Sequence, residues 1–165
     1  MRGQCGKSEG FTLLEIMIAL AMVSILTALG VSTLKDMLVK QQKSNAAQEI
    51  QTLLNQARSM ARSTAVPVKV TLTQVAAAPG GTISATTLDG VPGSVGTLVN
   101  WTRTVSLGPG NAYNAVGLVG GALGPFTFAP RGTVTPAGLN LSVQDRQGEA
   151  VAISVGLLGD ITITQ

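Results

Sequence analysis

The sequence predicts an α+β protein in which a long N-terminal helix packs on a C-terminal antiparallel β-sheet or β-sandwich-like domain. Two patterns support this fold class. No proline occurs between residues 11 and 66, and apolar residues there first run together and then recur every third or fourth position, as in a helix. From residue 66 onward apolar residues tend to alternate with polar ones, and Gly- and Pro-rich stretches separate the runs, as in strands joined by turns.

The composition excludes several classes of site. The chain has 165 residues, no histidine and a single cysteine, Cys5, so a His-based triad, a Cys/His metal site and an internal disulfide are excluded within one chain. No phosphate-binding glycine loop or nucleophile-elbow motif occurs, and we therefore expect no enzyme activity, no cofactor and no metal site. The formal charge of +3 is too small to indicate nucleic acid by itself.

Residues 11–34 are uncharged apart from Glu15 and mostly apolar, and a membrane-spanning helix needs about 20 such residues. We therefore expect this segment to span a membrane. A cleavable secretory signal is disfavoured because Glu15 interrupts its core, and a lipoprotein is disfavoured because no apolar stretch precedes Cys5. An ordinary signal anchor remains an alternative, although it leaves Glu15 unexplained. Lysines follow the segment while Arg2 and Lys7 precede it, so charge counting does not decide the orientation.

Residues 10–15 read GFTLLE and stand between a polar leader, residues 1–10, and the apolar segment. This arrangement resembles the processing motif of type IV prepilins and type II secretion pseudopilins. The resemblance implies that a prepilin peptidase cleaves between Gly10 and Phe11, that Phe11 becomes N-methylated, and that the leader faces the cytoplasm. It also implies that Glu15 pairs with the α-amino group of a neighbouring subunit, since an unpaired carboxylate in hydrocarbon costs about 2.5–3.5 kcal/mol. The alternative is a carboxyl group that the helix dipole favours near the helix start.

Residues 35–65 are expected to continue the helix as an amphipathic periplasmic half. Polar residues begin at Lys35, and an apolar stripe follows at steps of three and four, which indicates that one face packs on a sheet. Pro67 predicts that the helix ends near Ala65. The stripe consists of Ala46, Ile50, Leu53, Ala57, Ala61 and Ala65.

Residues 66–165 are expected to form the β-rich domain. The Gly- and Pro-rich stretches predict loops, among them residues 108–124 and 132–138. Gln147 and Gly148 predict the tip of a hairpin. The strand candidates are residues 66–72, 83–88, 98–107, 126–129, 139–143, 151–155 and 161–163.

Further patterns narrow the resemblance. Residues 57–58, AR, and residues 67–70, PVKV, precede residues 126–132, FTFAPRG, and residues 159–163, GDITI. Together these stretches resemble the GspH/FimT group of minor pilins and pseudopilins. The resemblance covers nearly the whole chain and implies a low-abundance subunit at or near the tip of a type IV pilus or type II secretion pseudopilus.

Charged residues outside the motif carry weaker hypotheses. Asp145 and Glu149 flank the predicted turn and are interpreted as solvated hairpin charges, because two carboxylates fall far short of an oxygen cage for Ca²⁺. Some FimT-like pilins capture DNA, and Arg58, Arg62 and Arg131 are therefore candidates for contacts with phosphate. Solvated surface arginines are the alternative, and an acidic residue close to the C-terminal end would repel phosphate.

We therefore expect a structural, non-enzymatic subunit held in a bacterial inner membrane by a single pass, with its C-terminal domain in the periplasm. Its expected partners are the prepilin peptidase and other pilins, which it contacts through the N-terminal helix. A DNA-binding minor pilin for DNA uptake and a signal-anchored periplasmic domain are the alternatives. The sequence does not separate a type II secretion system from a type IV pilus.

Overall fold

The computed structural model describes residues 11–73, 78–88, 101–119, 124–136 and 138–164, with the side chains of residues 29–33 outside the description. The chain divides into two compact units, Met1–Leu38 and Val39–Gln165, and each is described by itself. Within the described residues there is one helix, α1 (Leu13–Thr64), which begins in the first unit and ends in the second. The predicted helix, from Phe11 to about Ala65, is thereby confirmed to within two residues.

The C-terminal end of α1 lies where the proline predicts it. Thr64 is the last helical residue, and its hydroxyl group donates a hydrogen bond to the carbonyl oxygen of Met60 at 2.7 Å. Ala65 then has a positive φ of 55°, and Pro67 has no backbone N–H with which to continue the helix. Ala65 is exposed and does not belong to the buried stripe, because the chain has already left the helix at that residue.

The first unit presents apolar side chains around the start of α1. Phe11 is 81% exposed and Leu14 is 69% exposed, and the large apolar side chains that the structure describes stay exposed as far as Leu38. Among the described residues, no helix is both long enough and apolar enough to cross a membrane. The membrane span expected over residues 11–34 is therefore not confirmed.

Two antiparallel sheets make up the β-structure of the second unit within its described residues, and they confirm the predicted fold class. The strands are β1 (Val68–Thr73), β2 (Thr82–Thr87), β3 (Thr102–Ser106), β4 (Val116–Val119), β5 (Phe126–Phe128), β6 (Val134–Thr135), β7 (Leu139–Asp145), β8 (Ala150–Val155) and β9 (Ile161–Thr164). Five strands form one sheet in the order β3–β2–β1–β5–β6, and four form the other in the order β4–β7–β8–β9.

The core of the second unit contains the predicted stripe of α1 and residues from both sheets. In the first sheet, the rings of Phe126 and Phe128 meet edge to face, with centroids 5.6 Å apart. Burying one large apolar side chain stabilises the fold by about 1.5–3 kcal/mol. Because the chain cannot form an internal disulfide, its stability rests on this apolar core. The buried members of the stripe are Ala46, Ile50, Leu53, Ala57 and Ala61.

Two strands occur where the sequence predicts loops. β4 lies within residues 108–124 and β6 within residues 132–138, so both loop predictions are wrong over these strands. Gly117 of β4 forms a bridge with Gly80, and a Cβ on Gly117 would lie 2.7 Å from the Gly80 backbone nitrogen. Glycine is required here because two backbones approach closely. The many glycines of residues 108–124 nevertheless predict a loop when the sequence is considered alone. Part of the third strand candidate, residues 98–100, lies outside the described residues.

Candidate assembly surface

The first turn of α1 places Glu15 at a helix N-terminus. The Glu15 backbone N–H donates to the hydroxyl oxygen of Thr12 at 3.2 Å and to the carbonyl oxygen of Thr12 at 3.1 Å. Thr12 is therefore the N-cap, which satisfies one of the backbone donors that a helix start leaves free. Glu15 becomes the third helical residue, at the positive end of the helix dipole, where a carboxylate is favoured. Gly10, the predicted cleavage residue, lies outside the described residues.

The carboxylate of Glu15 is exposed and, within the described part of the chain, has no ion-pair partner. Its neighbours Leu13, Leu14 and Ile16 are exposed apolar residues. If another apolar surface covered them, water would leave the carboxylate, and an unpaired charge there is costly. This surface, residues 11–28 with Glu15 in the first turn of α1, therefore favours a partner that brings both apolar contacts and a positive charge.

The capping role of Thr12 is a feature that the sequence interpretation missed. Thr followed three residues later by Glu and then by an apolar run is the pattern of a capping box, and it could have identified the helix start. The cap and the predicted pairing of Glu15 do not exclude one another, because the cap uses the backbone N–H of Glu15 and leaves its carboxylate free.

In the second unit, a buried ion pair fastens α1 to β7. The ammonium nitrogen of Lys43 lies 3.1 Å from Asp145 Oδ2, and both side chains are less than one tenth exposed. Asp145 Oδ1 accepts hydrogen bonds from the backbone N–H groups of Gln147 and Glu149 at 2.9 and 3.0 Å. The predicted hairpin tip is confirmed, but Asp145 is not a solvated hairpin charge, because Lys43 reaches it from the helix; only Glu149 is exposed.

The protonation of Asp145 reflects competing effects. Burial alone would raise its pKa, but the hydrogen bond from Lys43, the two backbone donors and the Lys43 charge outweigh burial and hold the pKa below its ordinary value. The carboxylate therefore stays ionised at neutral pH and closes the β7–β8 turn. Asp145 thus stabilises the fold at this turn. Among the described residues, no group of three or more acidic or cysteine side chains could hold a metal ion.

A polar network fastens the residues before β4 to the next turns of α1. The hydroxyl group of Tyr113 donates to the carboxylate of Glu49, which lies 3.8 Å from the guanidinium of Arg103. Arg103 also donates to the side-chain oxygen of Gln56. The hydrogen bond to Glu49, together with burial and the Glu49 charge, raises the pKa of Tyr113 to about 12. Loop residues before β4 thus hold a fixed position against the helix.

The structure brings Arg58 and Arg62 together with the turn that carries Arg131. Arg58 Nη2 donates to the carbonyl oxygen of Leu158 at 2.6 Å, so Arg58 is used in holding a turn. A Cβ on Gly132 would lie 2.5 Å from Arg62 Nη2, which places the Arg62 guanidinium against the residue that follows Arg131. Arg62 and Arg131 are exposed, and within the described residues neither has an ion pair.

Comparisons with known proteins agree with this architecture. Residues 5–31 match the family model described as "Prokaryotic N-terminal methylation motif", and residues 46–159 match the one described as "Type II transport protein GspH". The second match covers more than half of the chain. A comparison with curated protein sequences gave no match.

Among solved structures, the chain is similar to the type IV minor pilin FimU of Pseudomonas aeruginosa. One FimU crystal structure gives a TM-score of 0.53 at 19% identity, over 76% of this chain and 90% of that chain. A second FimU crystal structure gives a TM-score of 0.49 at 19% identity, over 74% and 92% of the two chains. At this identity the first likeness supports the fold alone.

Proposed function

Because the chain belongs to the family of the type II transport protein GspH, we propose that it is a non-enzymatic structural subunit of a pseudopilus or type IV pilus. The observation that carries the proposal is the GFTLLE stretch at residues 10–15 followed by a capped helix whose exposed first turns are apolar. A prokaryotic N-terminal methylation motif over residues 5–31 supports the same function.

In this proposal a prepilin peptidase removes residues 1–10, and Phe11 becomes the N-methylated first residue. The new α-amino group then supplies the positive charge that the exposed Glu15 carboxylate lacks. Pairing between subunits, from Phe11 of one copy or partner to Glu15 of the next, satisfies that charge as the apolar surface becomes buried. Assembly therefore couples apolar burial to one specific ionic contact, which fixes the register of neighbouring helices.

We also propose that residues 11–34 anchor the subunit in the bacterial inner membrane by a single pass before assembly. The large apolar side chains that the structure describes between Phe11 and Leu34 are exposed, which supports an apolar environment for this segment. The C-terminal domain, residues 66–165, and the second half of the helix, residues 35–65, then lie in the periplasm. The resemblance to the GspH/FimT group further supports a position at or near the filament tip.

The intact mass of the protein purified from membranes of its native host tests the proposal. With fragmentation of the N-terminus, the expected species begins at Phe11 and carries one additional methyl group on its amine. A chain that still begins at Met1, in a host whose prepilin peptidase processes another substrate in the same cells, would contradict the proposal. It would favour the signal-anchored periplasmic domain instead.

DNA capture through Arg58, Arg62 and Arg131 is the alternative binding function. Of the three, Arg58 already holds the carbonyl oxygen of Leu158, whereas Arg62 and Arg131 are exposed and have no ion pair within the described residues. A gel-shift titration with the full chain in detergent separates the two functions. Binding whose logarithm falls linearly with the logarithm of salt concentration, and which Arg62→Ala and Arg131→Ala weaken, favours DNA capture.

A further inference from the structure

The second unit exposes large apolar side chains at one place within its described residues, the turn between β8 and β9. Leu157 is 58% exposed and Leu158 is 67% exposed. Two adjacent leucines at a tight turn are unusual, because a turn of this kind is commonly built from polar residues and glycine. We refer to residues 156–160 as the leucine turn.

The backbone of the leucine turn is held on several sides. The Gly156 N–H donates to the carbonyl oxygen of Asp160, and the Gly159 N–H donates to that of Gly156, both at 2.9 Å. The carbonyl oxygen of Leu157 accepts a hydrogen bond from the Val134 N–H at 3.0 Å, and Arg58 holds that of Leu158. The turn therefore presents its two side chains from a fixed backbone, which lowers the entropy lost when a partner binds.

Positive charge that has no ion-pair partner within the described residues lies beside these leucines. Gly132 lies between the leucine turn and Arg62. A Cβ added to Gly159 would lie 2.7 Å from the carbonyl oxygen of Gly132, and a Cβ added to Gly132 would lie against the Arg62 guanidinium. Arg62 and Arg131 are therefore close to the leucine turn. The acidic side chain within the turn, Asp160, folds back against Gly156. The surface thus combines an apolar centre with a cationic rim, and arginine is enriched in protein interfaces.

We propose that the leucine turn, with Arg62 and Arg131, is a docking surface for a different protein subunit of the same filament that presents an apolar pocket rimmed by carboxylates. The inference rests on the proposed function, because it takes the partner to be another pilin-like subunit. A symmetric contact with a second copy of this chain does not fit, since it would bring like arginines together; a head-to-tail contact with a second copy is an outcome that the test below distinguishes. A lipid surface is less suited, because the turn offers two leucines and no tryptophan or tyrosine for the interface.

Site-directed photo-crosslinking of the full chain in its native host tests the docking surface. Processing after Gly10 would remove Cys5, so that Leu158→Cys gives the mature chain a single thiol. This thiol is labelled with a maleimide–diazirine reagent, and the crosslinked peptides are sequenced. The matched control is Thr104→Cys, an exposed residue of β3 at the opposite edge of the first sheet from β6.

The expected product joins Leu158→Cys to a peptide of another protein that carries its own prepilin motif, and that peptide contains carboxylates beside apolar residues. Its yield should fall about tenfold or more in Arg62→Glu/Arg131→Glu and in Leu157→Ser, since each removes contacts at the centre or rim of the surface. Thermal unfolding of each variant should match that of the parent chain, because the substituted side chains are exposed. Replacing the partner's crosslinked carboxylate with lysine should restore the yield in the glutamate variant.

Four outcomes overturn the inference: a yield no higher than that of Thr104→Cys, a product with lipid or DNA alone, a product with a second copy of this chain, or a yield insensitive to charge reversal. The label count separates this failure from failure of the proposed function. A processed chain carries one label on Leu158→Cys and an unprocessed chain carries two, on Cys5 as well. A chain with one label and no specific crosslink contradicts only the docking surface, whereas a chain with two labels contradicts the proposed function itself.

Discussion

Replacing Lys43 with methionine should destabilise the second unit strongly. The substitution keeps most of the side-chain volume but removes the ammonium group that lies 3.1 Å from Asp145 Oδ2. Asp145 would remain as a buried carboxylate whose remaining hydrogen-bond donors, among the residues that the structure describes, are the backbone N–H groups of Gln147 and Glu149. The burial that already opposes its ionisation would then lack its main compensation.

The magnitude follows from what Asp145 loses and keeps. Removing one partner of a buried ion pair costs about 3–5 kcal/mol, because the other charge stays buried. The two remaining backbone donors compensate part of this, since a hydrogen bond to a charged group contributes about 1.5–3 kcal/mol. We therefore expect Lys43→Met to lower the free energy of unfolding by about 3 kcal/mol, at the lower end of the range.

Urea unfolding of the full chain in detergent measures this change. Trp101 is the only tryptophan and packs partly buried against the core, so its fluorescence reports on the second unit. Lys40→Met is the matched control, because Lys40 is exposed one turn earlier on α1 and should change stability by about 0.5 kcal/mol or less. Asp145→Asn completes a double-mutant cycle, and the double variant should be less damaged than the sum of the single variants by about 1 kcal/mol or more.

The pH dependence gives an independent check with a definite sign. The pKa of Asp145 in the folded chain lies below the ordinary value of 3.8, so the unfolded state binds the proton first. The stabilisation from Asp145 is then fully present above pH 3.8 and is lost as the pH falls through the lower folded pKa. Between pH 5 and strongly acidic pH, the parent chain should therefore lose more stability than Asp145→Asn. A Lys43→Met variant as stable as Lys40→Met, or a coupling energy of zero, would refute the reasoning.

Three further predictions test other parts of the structure. Gly117→Ala should cost about 1–3 kcal/mol, because its Cβ would lie 2.7 Å from a backbone nitrogen. Gly124→Ala, whose Cβ would have no atom of the described residues within 4 Å, should be nearly neutral; equal losses in urea unfolding would contradict this. Tyr113, the only tyrosine, should titrate near pH 12 by ultraviolet absorbance, and Glu49→Gln should move the midpoint towards 10. Because the folded pKa of Tyr113 is raised, the stabilisation from its contact is present below pH 10 and lost as the pH rises through about 12; a parent midpoint at 10 would exclude the contact. Glu15→Gln keeps a residue type suited to the capping box but removes the charge, so the chain should be processed normally while its incorporation into filaments falls about tenfold or more; normal incorporation would show that Glu15 serves the helix start alone.

The sequence predicts most of the fold because its local patterns and its tertiary contacts agree. The stripe from Ala46 to Ala61 is spaced as a helix face and is buried as one. Pro67 predicts the end of α1 correctly, since its effect is local. Strand β4 escapes prediction because Gly117 meets a requirement set by Gly80, which lies far away in the sequence.

The candidate site divides in the same way. The motif that contains Glu15 can be recognised because all of its residues are consecutive in the sequence. Asp145 is misread as a surface charge because its partner, Lys43, lies 102 positions away, and nothing near the turn indicates it. The leucine turn likewise cannot be predicted, since Leu157 and Leu158 resemble core residues and only the surrounding packing leaves them exposed.

The side-chain contacts between α1 and the strands have a mechanical consequence. They are distributed along the helix from Lys43 to Arg58, a length of about 22 Å at 1.5 Å per residue. Between these ends, Gln51 donates to the carbonyl oxygen of Ile161 in β9, and Gln56 accepts from Arg103 in β3. A tensile load along α1 would be shared by these hydrogen bonds and the ion pair, which reach both sheets. Several of these contacts would therefore have to break at the same time. The domain is thus attached to its helix by contacts distributed along the helix axis, an arrangement suited to a subunit that is pulled by one end.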